Sequence, residues 1–381
     1  MGSCIQKPRS KSIKPIPSSF RQHYSSILMT TEEYQKLYPS DEIRTSRSMK
    51  LPPSDRPSHL LREKIFLTGK ISASKEYGFQ DKDMSISSSI LAPDNLTDLG
   101  ISVICKKGLK VDTPNQDDYL IVIDPHCLIF GVFDGHGPFG HEVSNYVQST
   151  LPELLLSNGN LHDYPQETLV QAFEQCSQQL LNRENCKIDC SISGTTATIL
   201  CVINKKVYFA HVGDSRAAVV QNSLGKRSGV ALTVDHRPDL PGESERIHLA
   251  GGEIRRASEE APSRIFRFGE KYPGINMSRS LGDSVSREIG IVSDPDVDCK
   301  DIQENDELYI ICSDGVWEFI TLQEIAEITE KFKGDVKKIA QRISTLAWMQ
   351  WKQQVFDHVD DITVLIFSPN NQNAKEIFYF L

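Results

Sequence analysis

The sequence predicts an α+β fold built from antiparallel strands and amphipathic helices. Short β-rich runs recur from residue 101 onward, and helical patterns interrupt them in groups without alternating strictly with them. Strict alternation would have favoured a parallel sheet with crossover helices. The hydrophobic share of 39% and the charged share of 24% are typical of a globular protein.

The predicted elements follow from hydrophobic periodicity and residue type. Runs rich in β-branched and aromatic residues predict strands at 101–105, 119–123, 127–133, 195–203, 206–212, 216–220, 308–312 and 361–367. Apolar residues spaced three and four apart predict helices at 141–156, 168–181, 242–250, 322–332 and 335–348.

The domain organisation follows from a change in composition near residue 96. Residues 1–96 are rich in Ser, Pro and charge, and they are predicted to form a mostly irregular extension with short helical patterns at 31–38 and 60–68. Residues 97–370 are predicted to form one domain, and residues 371–381 a short tail.

Charge and cysteine content exclude some classes of partner and compartment. The formal net charge of -9 argues against a nucleic-acid binder, because phosphate neutralisation needs clustered Lys and Arg. The nine cysteines include no CxxC pair, which favours a reducing, cytoplasmic location. No apolar run approaches the ~20 residues that a membrane-spanning helix needs.

The first residues predict lipid attachment to the cytoplasmic face of a membrane. Gly2 and Cys4 are candidates for myristate and palmitate, and residues 1–31 contain five basic and no acidic side chains, which would attract anionic lipid. Gln6 departs from the acylation pattern, which has Ser or Thr there. The alternative is an ordinary basic tail without lipid.

The most informative segment is an apolar run, 128–133, that leads into Asp134, Gly135 and His136. A carboxylate at the end of a buried strand is held rigidly, a glycine lets its carbonyl approach an ion, and a histidine can donate a proton. The same residues also fit a glycine-rich turn before a helix. The match of residues 135–140 to a dinucleotide-binding loop is weak, because a proline interrupts it and no parallel-sheet rhythm follows.

Further carboxylates follow apolar runs or tight loops elsewhere in the chain. They are Asp214, Asp283, Asp314 and Asp360. Each alone is usually a turn former, but carboxylates that are buried together require cations. Oxygen ligands without clustered His or Cys favour Mg²⁺ or Mn²⁺ over Zn²⁺. The sequence therefore predicts a magnesium or manganese site.

These residues resemble the metal-dependent type 2C serine/threonine protein phosphatases over about residues 100–368. The resemblance rests on eight motifs in the order of that family: Asn115-Gln-Asp117, Phe133-Asp-Gly-His-Gly137, Ser193-Gly-Thr-Thr-Ala197, Gly213-Asp-Ser-Arg216, Ala250-Gly-Gly252, Ser278-Arg-Ser-Leu-Gly-Asp283, Ser313-Asp-Gly-Val-Trp317 and Asp360-Asp-Ile-Thr363. One motif would be weak evidence, whereas all of them in order are specific.

The resemblance implies a four-layer α-β-β-α sandwich, with two antiparallel sheets between pairs of helices and the metals at one end. It implies that Asp134 bridges two ions and that the Gly135 carbonyl binds one of them. The remaining ligands would be Asp283, Asp314 and Asp360, with Asp117 acting through metal-bound water and Asp214 at a weaker third ion.

The resemblance also implies hydrolysis of phosphoserine and phosphothreonine in proteins, in which a water bridging the ions attacks phosphorus and His136 protonates the leaving oxygen. Two departures from the family pattern matter. Gln116 stands where members often have glutamate. An arginine that grips the phosphate is replaced by Lys106, Lys107 and Lys110, of which we favour Lys110 as the phosphate-binding residue.

The sequence thus predicts a monomeric, Mg²⁺- or Mn²⁺-dependent protein phosphatase. The alternative is a catalytically inactive phosphatase-like domain that binds phosphoproteins or other partners. The retained aspartates argue against this alternative, whereas Gln116 and the missing arginine favour it.

Overall fold

Two antiparallel sheets lie face to face, and helices cover their outer faces. The computed structural model describes residues 65–71, 79–87, 96–110, 113–124, 126–184, 186–259, 261–356 and 358–371. The strands of the first half are β1 (Ile65–Gly69), β2 (Met84–Ile86), β3 (Ile101–Lys106), β4 (Asp117–Asp124), β5 (Cys127–His136), β6 (Gly194–Thr195), β7 (Ala197–Ile203), β8 (Lys206–Val212) and β9 (Arg216–Ser223). Those of the second half are β10 (Lys226–Ala231), β11 (Gly252–Arg255), β12 (Arg264–Arg267), β13 (Pro273–Ile275), β14 (Leu281–Gly282), β15 (Asp296–Asp301), β16 (Asp306–Cys312) and β17 (Ile362–Phe367).

Among the described residues, four helices form two pairs, a fifth lies beside a small sheet, and a sixth is a single turn. They are α1 (Gly140–Ser157), α2 (Pro165–Leu181), α3 (Pro241–Leu249), α4 (Asp314–Trp317), α5 (Leu322–Phe332) and α6 (Val336–Gln354), with a 3₁₀ turn at Ser286–Ile289. Local sequence explains several starts: Pro165 opens α2, Thr321 and Glu324 form a capping box at α5, and Asp335 caps α6.

The first sheet has the strand order β15-β8-β7-β5-β4-β1-β2, with β6 paired to both β5 and β14. The second sheet has the order β10-β9-β16-β17-β3, and β11-β12-β13 form a small third sheet. Every strand pair within these sheets is antiparallel.

Three apolar clusters separate the four layers. One lies between the sheets and includes the stacked rings of Phe130 and Phe367, with centroids 4.9 Å apart. A second packs α1 and α2 on the outer face of the first sheet, and a third packs α5 and α6 on the second sheet. The predicted four-layer sandwich is therefore confirmed, and it leaves the polar ends of the central strands at one edge.

The N-terminal prediction needs correction. Residues 65–69 and 84–86, assigned to an irregular extension, are strands of the first sheet, and residues 65–68 are not helical. The cause is tertiary, because β1 pairs with the central strand β4. The helical pattern at 31–38, the lipidation candidates Gly2 and Cys4, and residues 372–381 lie outside the described residues.

Within the described ranges, no helix combines the length and the apolar character that crossing a bilayer would require.

Candidate metal centre

Strand ends from both sheets bring the predicted aspartates together. Asp117 begins β4 and lies directly opposite Asp134 of β5 in the ladder. Asp314 begins α4 just after β16, and Asp360 lies just before β17. Because these four strands are central in their sheets, their ends form one carboxylate cluster at the edge of the sandwich.

The electrostatics of the cluster show that its members are close neighbours. Burial, and then the carboxylates of Asp117, Asp314 and Asp360, raise the pKa of Asp134 well above its ordinary value. Burial and Asp361 raise the pKa of Asp117 to about 7. Like charges this close disfavour one another in the absence of cations.

Several aspartate oxygens in the cluster and around it lack any hydrogen-bond donor in the described part of the chain. They are Oδ1 of Asp117, Asp214, Asp283 and Asp314, all buried. Buried carboxylate oxygens are normally satisfied, so bound cations would supply what these unpaired oxygens lack. The donor set is all oxygen, which suits Mg²⁺ or Mn²⁺. The residues therefore fit the ions that the sequence predicts.

The other oxygen of Asp117 is held by two hydroxyl groups. Ser313 and Thr363 each donate to Asp117 Oδ2 at 2.7 Å. This contact fixes the carboxylate so that Oδ1 remains unpaired. The sequence analysis assigned neither hydroxyl a role, although Ser313 and Thr363 both lie inside motifs of the family. Nothing in the local sequence indicates which side chain a hydroxyl group will contact in the folded protein.

Asp283 connects the cluster to His136. Asp283 adopts a left-handed backbone conformation with φ 50°, directly after β14, and its Oδ2 lies 2.7 Å from His136 Nε2. The Ser280 hydroxyl donates to the same oxygen at 2.6 Å. Burial opposes the charged imidazole, but Asp283 outweighs it and raises the pKa of His136 above its ordinary value.

Gly194 packs directly against the side chains of Asp283 and His136. A Cβ at Gly194 would lie 2.1 Å from Asp283 Oδ2 and 2.8 Å from His136 Nε2. Only glycine therefore allows the close approach of β6 to the two side chains. The requirement comes from the long-range pairing of β5 with β6, in which His136 faces Gly194.

Of the three candidate lysines, the structure brings Lys110 to the cluster. Its ammonium contacts Asp360 and lies 3.5 Å from Asp361 Oδ2. Burial opposes its charge, but Asp360 and Asp361 outweigh it and raise the pKa of Lys110. Lys106 pairs instead with Asp81 at 2.9 Å, and Lys107 donates to the Lys110 carbonyl at 3.0 Å.

Gln116, the departure from the family pattern, has a structural contact of its own. Its Nε2 donates to the Gly137 carbonyl at 2.7 Å. An ionised glutamate there would place a carboxylate oxygen against the carbonyl oxygen, and neither group could donate a hydrogen bond. The Gln116 carbonyl accepts from the Gly135 amide at 3.1 Å. A Cβ at Gly135 would lie 2.7 Å from that carbonyl oxygen and 2.3 Å from the Gly140 oxygen, so this glycine is required for close packing.

Asp214 lies beyond the main group. Burial and the carboxylate of Asp235 raise the pKa of Asp214 to about 6, and Asn276 donates to its Oδ2 at 3.3 Å. Asp235 itself forms two hydrogen bonds with Arg216, at 2.8 and 2.6 Å. Asp214 is thus close to the cluster but has partly separate surroundings, as expected for a peripheral ligand.

A second group of potential ligands is His211, His236 and Asp296, whose ligand atoms lie within 4.8 Å of one another. The two imidazole rings stack with centroids 4.4 Å apart and planes 10° apart, so their lone pairs lie in separate parallel planes. The Gly213 amide donates to His236 Nδ1 at 3.1 Å, which leaves the proton on Nε2, facing Asp296 at 3.2 Å. Neither His211 Nδ1 nor His236 Nε2 has a hydrogen bond of good geometry among the described residues.

Comparisons with known proteins point to one family. The family model "Protein phosphatase 2C" matches residues 124–353. "Probable protein phosphatase 2C 35" of Arabidopsis thaliana is 30% identical, over 75% of this chain and 88% of its own length. "Probable protein phosphatase 2C 73" of the same plant is 34% identical, over 69% of this chain and 77% of its own.

A solved structure supports the fold independently. The crystal structure of serine-threonine phosphatase 2C from Toxoplasma gondii superposes with a TM-score of 0.62 at 20% identity, covering 70% of this chain and 94% of that one. By sequence and by fold, this chain belongs to the protein phosphatase 2C family.

Proposed function

We propose that this protein hydrolyses phosphoserine and phosphothreonine in proteins and requires Mg²⁺ or Mn²⁺ to do so. The observation that carries the proposal is the set of four buried, donorless oxygens on Asp117, Asp214, Asp283 and Asp314. Bound cations would satisfy such oxygens in place of the missing donors. The relatives, which are named protein phosphatases, support a serine/threonine phosphatase.

The cluster would hold the ions as follows. Asp134 would lie between two of them, and Gly135 would offer its carbonyl. The other ligands would be Asp117, Asp283, Asp314 and Asp360, with Asp214 at a third ion. When bound, the ions would neutralise phosphoryl charge and lower the pKa of a water molecule.

The chain's own residues would orient the ester and supply a proton. His136 is a half-buried imidazole whose Nε2 contacts Asp283, so its ring orientation is fixed. Its Nδ1 has no hydrogen-bond partner among the described residues. The imidazole would protonate the leaving oxygen as general acid. Lys110 would contribute positive charge toward the phosphate once ions satisfy Asp360.

The decisive experiment combines binding and turnover. Purified protein should hydrolyse a phosphothreonine peptide with Mn²⁺ and lose this activity in chelator, and calorimetry should detect Mn²⁺ binding without substrate. Binding of Mn²⁺ without any turnover would favour the alternative, an inactive phosphatase-like domain. Absence of both would refute the metal site itself.

We also propose that residues 1–31 attach the protein to the cytoplasmic face of a membrane. One myristoyl chain on Gly2 gives only marginal binding, so a second signal is needed. Cys4 as a palmitate acceptor and the five basic residues of this segment supply two candidates.

A further inference from the structure

Lys82 lies outside the residues that the family model matches, yet its ammonium group contacts the backbone of Asp117 in the candidate metal centre. The segment that carries it runs between β1 and β2 and joins the second sheet through a bridge between Asp81 and Lys106. The Lys82 amide donates to the Cys105 carbonyl at 2.8 Å. The backbone of Lys82 is therefore held by β3, which directs the side chain into the interior.

The ammonium of Lys82 has two acceptors, both in the first residues of β4. It donates to the backbone carbonyl of Asp117, and it lies 3.2 Å from Asp118 Oδ2. The side chains of Lys82 and Asp118 are both 0% exposed. A wholly buried ion pair is retained only where its geometry is good and its remaining bonds are made.

The remaining bonds of Asp118 are indeed made. Asn145 donates to its Oδ2 at 3.0 Å, and the Tyr119 amide donates to its Oδ1 at 2.9 Å. Gly69, the last residue of β1, leaves the space for this arrangement: a Cβ there would lie 2.3 Å from Asp118 Oδ1. The strand β1 is thus shaped to admit the Lys82–Asp118 pair.

The contact with Asp117 has a more specific meaning. The pairing of β1 with β4 extends only to Leu120, so no strand donor is available to the Asp117 carbonyl. The Lys82 ammonium supplies that donor, and a weak contact from the Cys105 thiol at 3.8 Å adds to it. On its other side, the Asp117 amide donates to Asn115 Oδ1 at 3.0 Å.

From these contacts we infer that Lys82 is a positioning residue for the metal centre, which holds the Asp117 backbone so that its unpaired carboxylate oxygen faces the ions. This inference rests on the proposed function, because it requires that Asp117 serve an ion. It makes residues 65–71 and 79–87 part of the catalytic domain. The rival explanation is an ion pair that stabilises the fold alone.

The experiment uses full-length variants and measures both Mn²⁺ affinity by calorimetry and metal-free melting temperature. Lys82→Met should melt earlier and bind Mn²⁺ about tenfold more weakly, as loss of a supporting contact behind a ligand usually does. The double variant Lys82→Met/Asp118→Asn removes the unpaired charge and should recover most of the melting temperature. Its Mn²⁺ affinity should stay about tenfold weaker, because the Asp117 carbonyl still lacks its donor.

Lys106→Met is the matched control, because it removes a partly exposed pair with Asp81 from the same segment. It should bind Mn²⁺ within about twofold of wild type. Turnover of Lys82→Met should approach that of wild type at saturating Mn²⁺, since no group at the phosphate is lost. A double variant that regains wild-type Mn²⁺ affinity together with its stability would overturn the inference. If wild type itself binds no Mn²⁺, the proposed metal centre fails, and the inference fails with it.

Discussion

His136 Nε2 and Asp283 Oδ2 lie 2.7 Å apart, which ties the proposed general acid to a proposed metal ligand. Asp283 has one oxygen for the imidazole and one unpaired oxygen for an ion. Proton donation and metal binding are therefore mechanically linked through a single carboxylate, and a change beneath the pair should disturb both.

Gly194→Ala tests that linkage without removing a chemical group. The new Cβ would collide with Asp283 Oδ2 and His136 Nε2, so we expect turnover to fall at least tenfold and Mn²⁺ binding to weaken. Gly159→Ala is the control, because a Cβ there meets no atom within 4 Å. Equal kinetics for the two variants would show that the pair tolerates displacement.

His136→Ala separates proton donation from metal binding. It should slow hydrolysis of a phosphothreonine peptide by ~10²- to 10⁴-fold, but affect an aryl phosphate much less, because phenolates leave without a proton. Steady-state kinetics on both substrates at saturating Mn²⁺ provide the test. Equal losses on both substrates would assign His136 an orienting role only.

Asp134→Asn should abolish turnover and weaken Mn²⁺ binding while raising the melting temperature of the metal-free protein. The reason is that one negative charge leaves a cluster in which Asp117, Asp314 and Asp360 already disfavour ionisation of Asp134. Asp163→Asn, at an exposed turn, should change none of these quantities. Substantial activity in a folded, Mn²⁺-saturated Asp134→Asn protein would refute the bridging assignment.

His211 should make the protein less stable in mild acid. Burial, and then His236, lower the pKa of His211 to about 4, whereas the unfolded chain has the ordinary value of 6.5. The unfolded state therefore binds the proton first, so the stability from neutral His211 is complete above pH 6.5 and is lost as pH falls toward 4. Over that range the loss is about 3 kcal/mol.

Urea unfolding at pH 7.5 and pH 5 measures this effect. His211→Gln should flatten the pH dependence by about 2 kcal/mol over this interval. His162→Gln, which replaces an exposed histidine, should leave it unchanged. Parallel pH dependence for wild type and His211→Gln would contradict the assignment.

The membrane proposal predicts distinct behaviour for two N-terminal variants. Gly2→Ala should release the protein into the soluble fraction, because palmitoylation usually follows a first, myristate-driven encounter. Cys4→Ser should release it in part, since basic residues contribute about 1 kcal/mol each near an anionic surface. Cell fractionation decides the matter: a wild-type protein that is already soluble, or a membrane-bound deletion of residues 1–31, would disprove attachment.

The sequence singled out the aspartates that the fold brings together because each lies in a short motif next to a strong strand signal, as Asp134 and Asp314 do. It did not predict the role of Lys82, whose partner Asp118 lies far along the chain and whose neighbours give no local signal. It also placed β1 in an irregular extension. The five residues of β1 form a strand because they pair with the edge of β4. Hydrophobic periodicity within a segment does not show such a long-range pairing.

That pairing has a consequence for any shortened form of the protein. In the full chain β1 covers the edge of β4 from Leu120 to Ile123, and the next strand out, β2, is only three residues long. A chain beginning at residue 97 would lack β1 and β2. It would therefore expose the apolar edge of β4, with its backbone amides unpaired. Such edges pair with copies of themselves. We therefore expect the shortened protein to aggregate as its concentration rises, even though every motif of the family is still present.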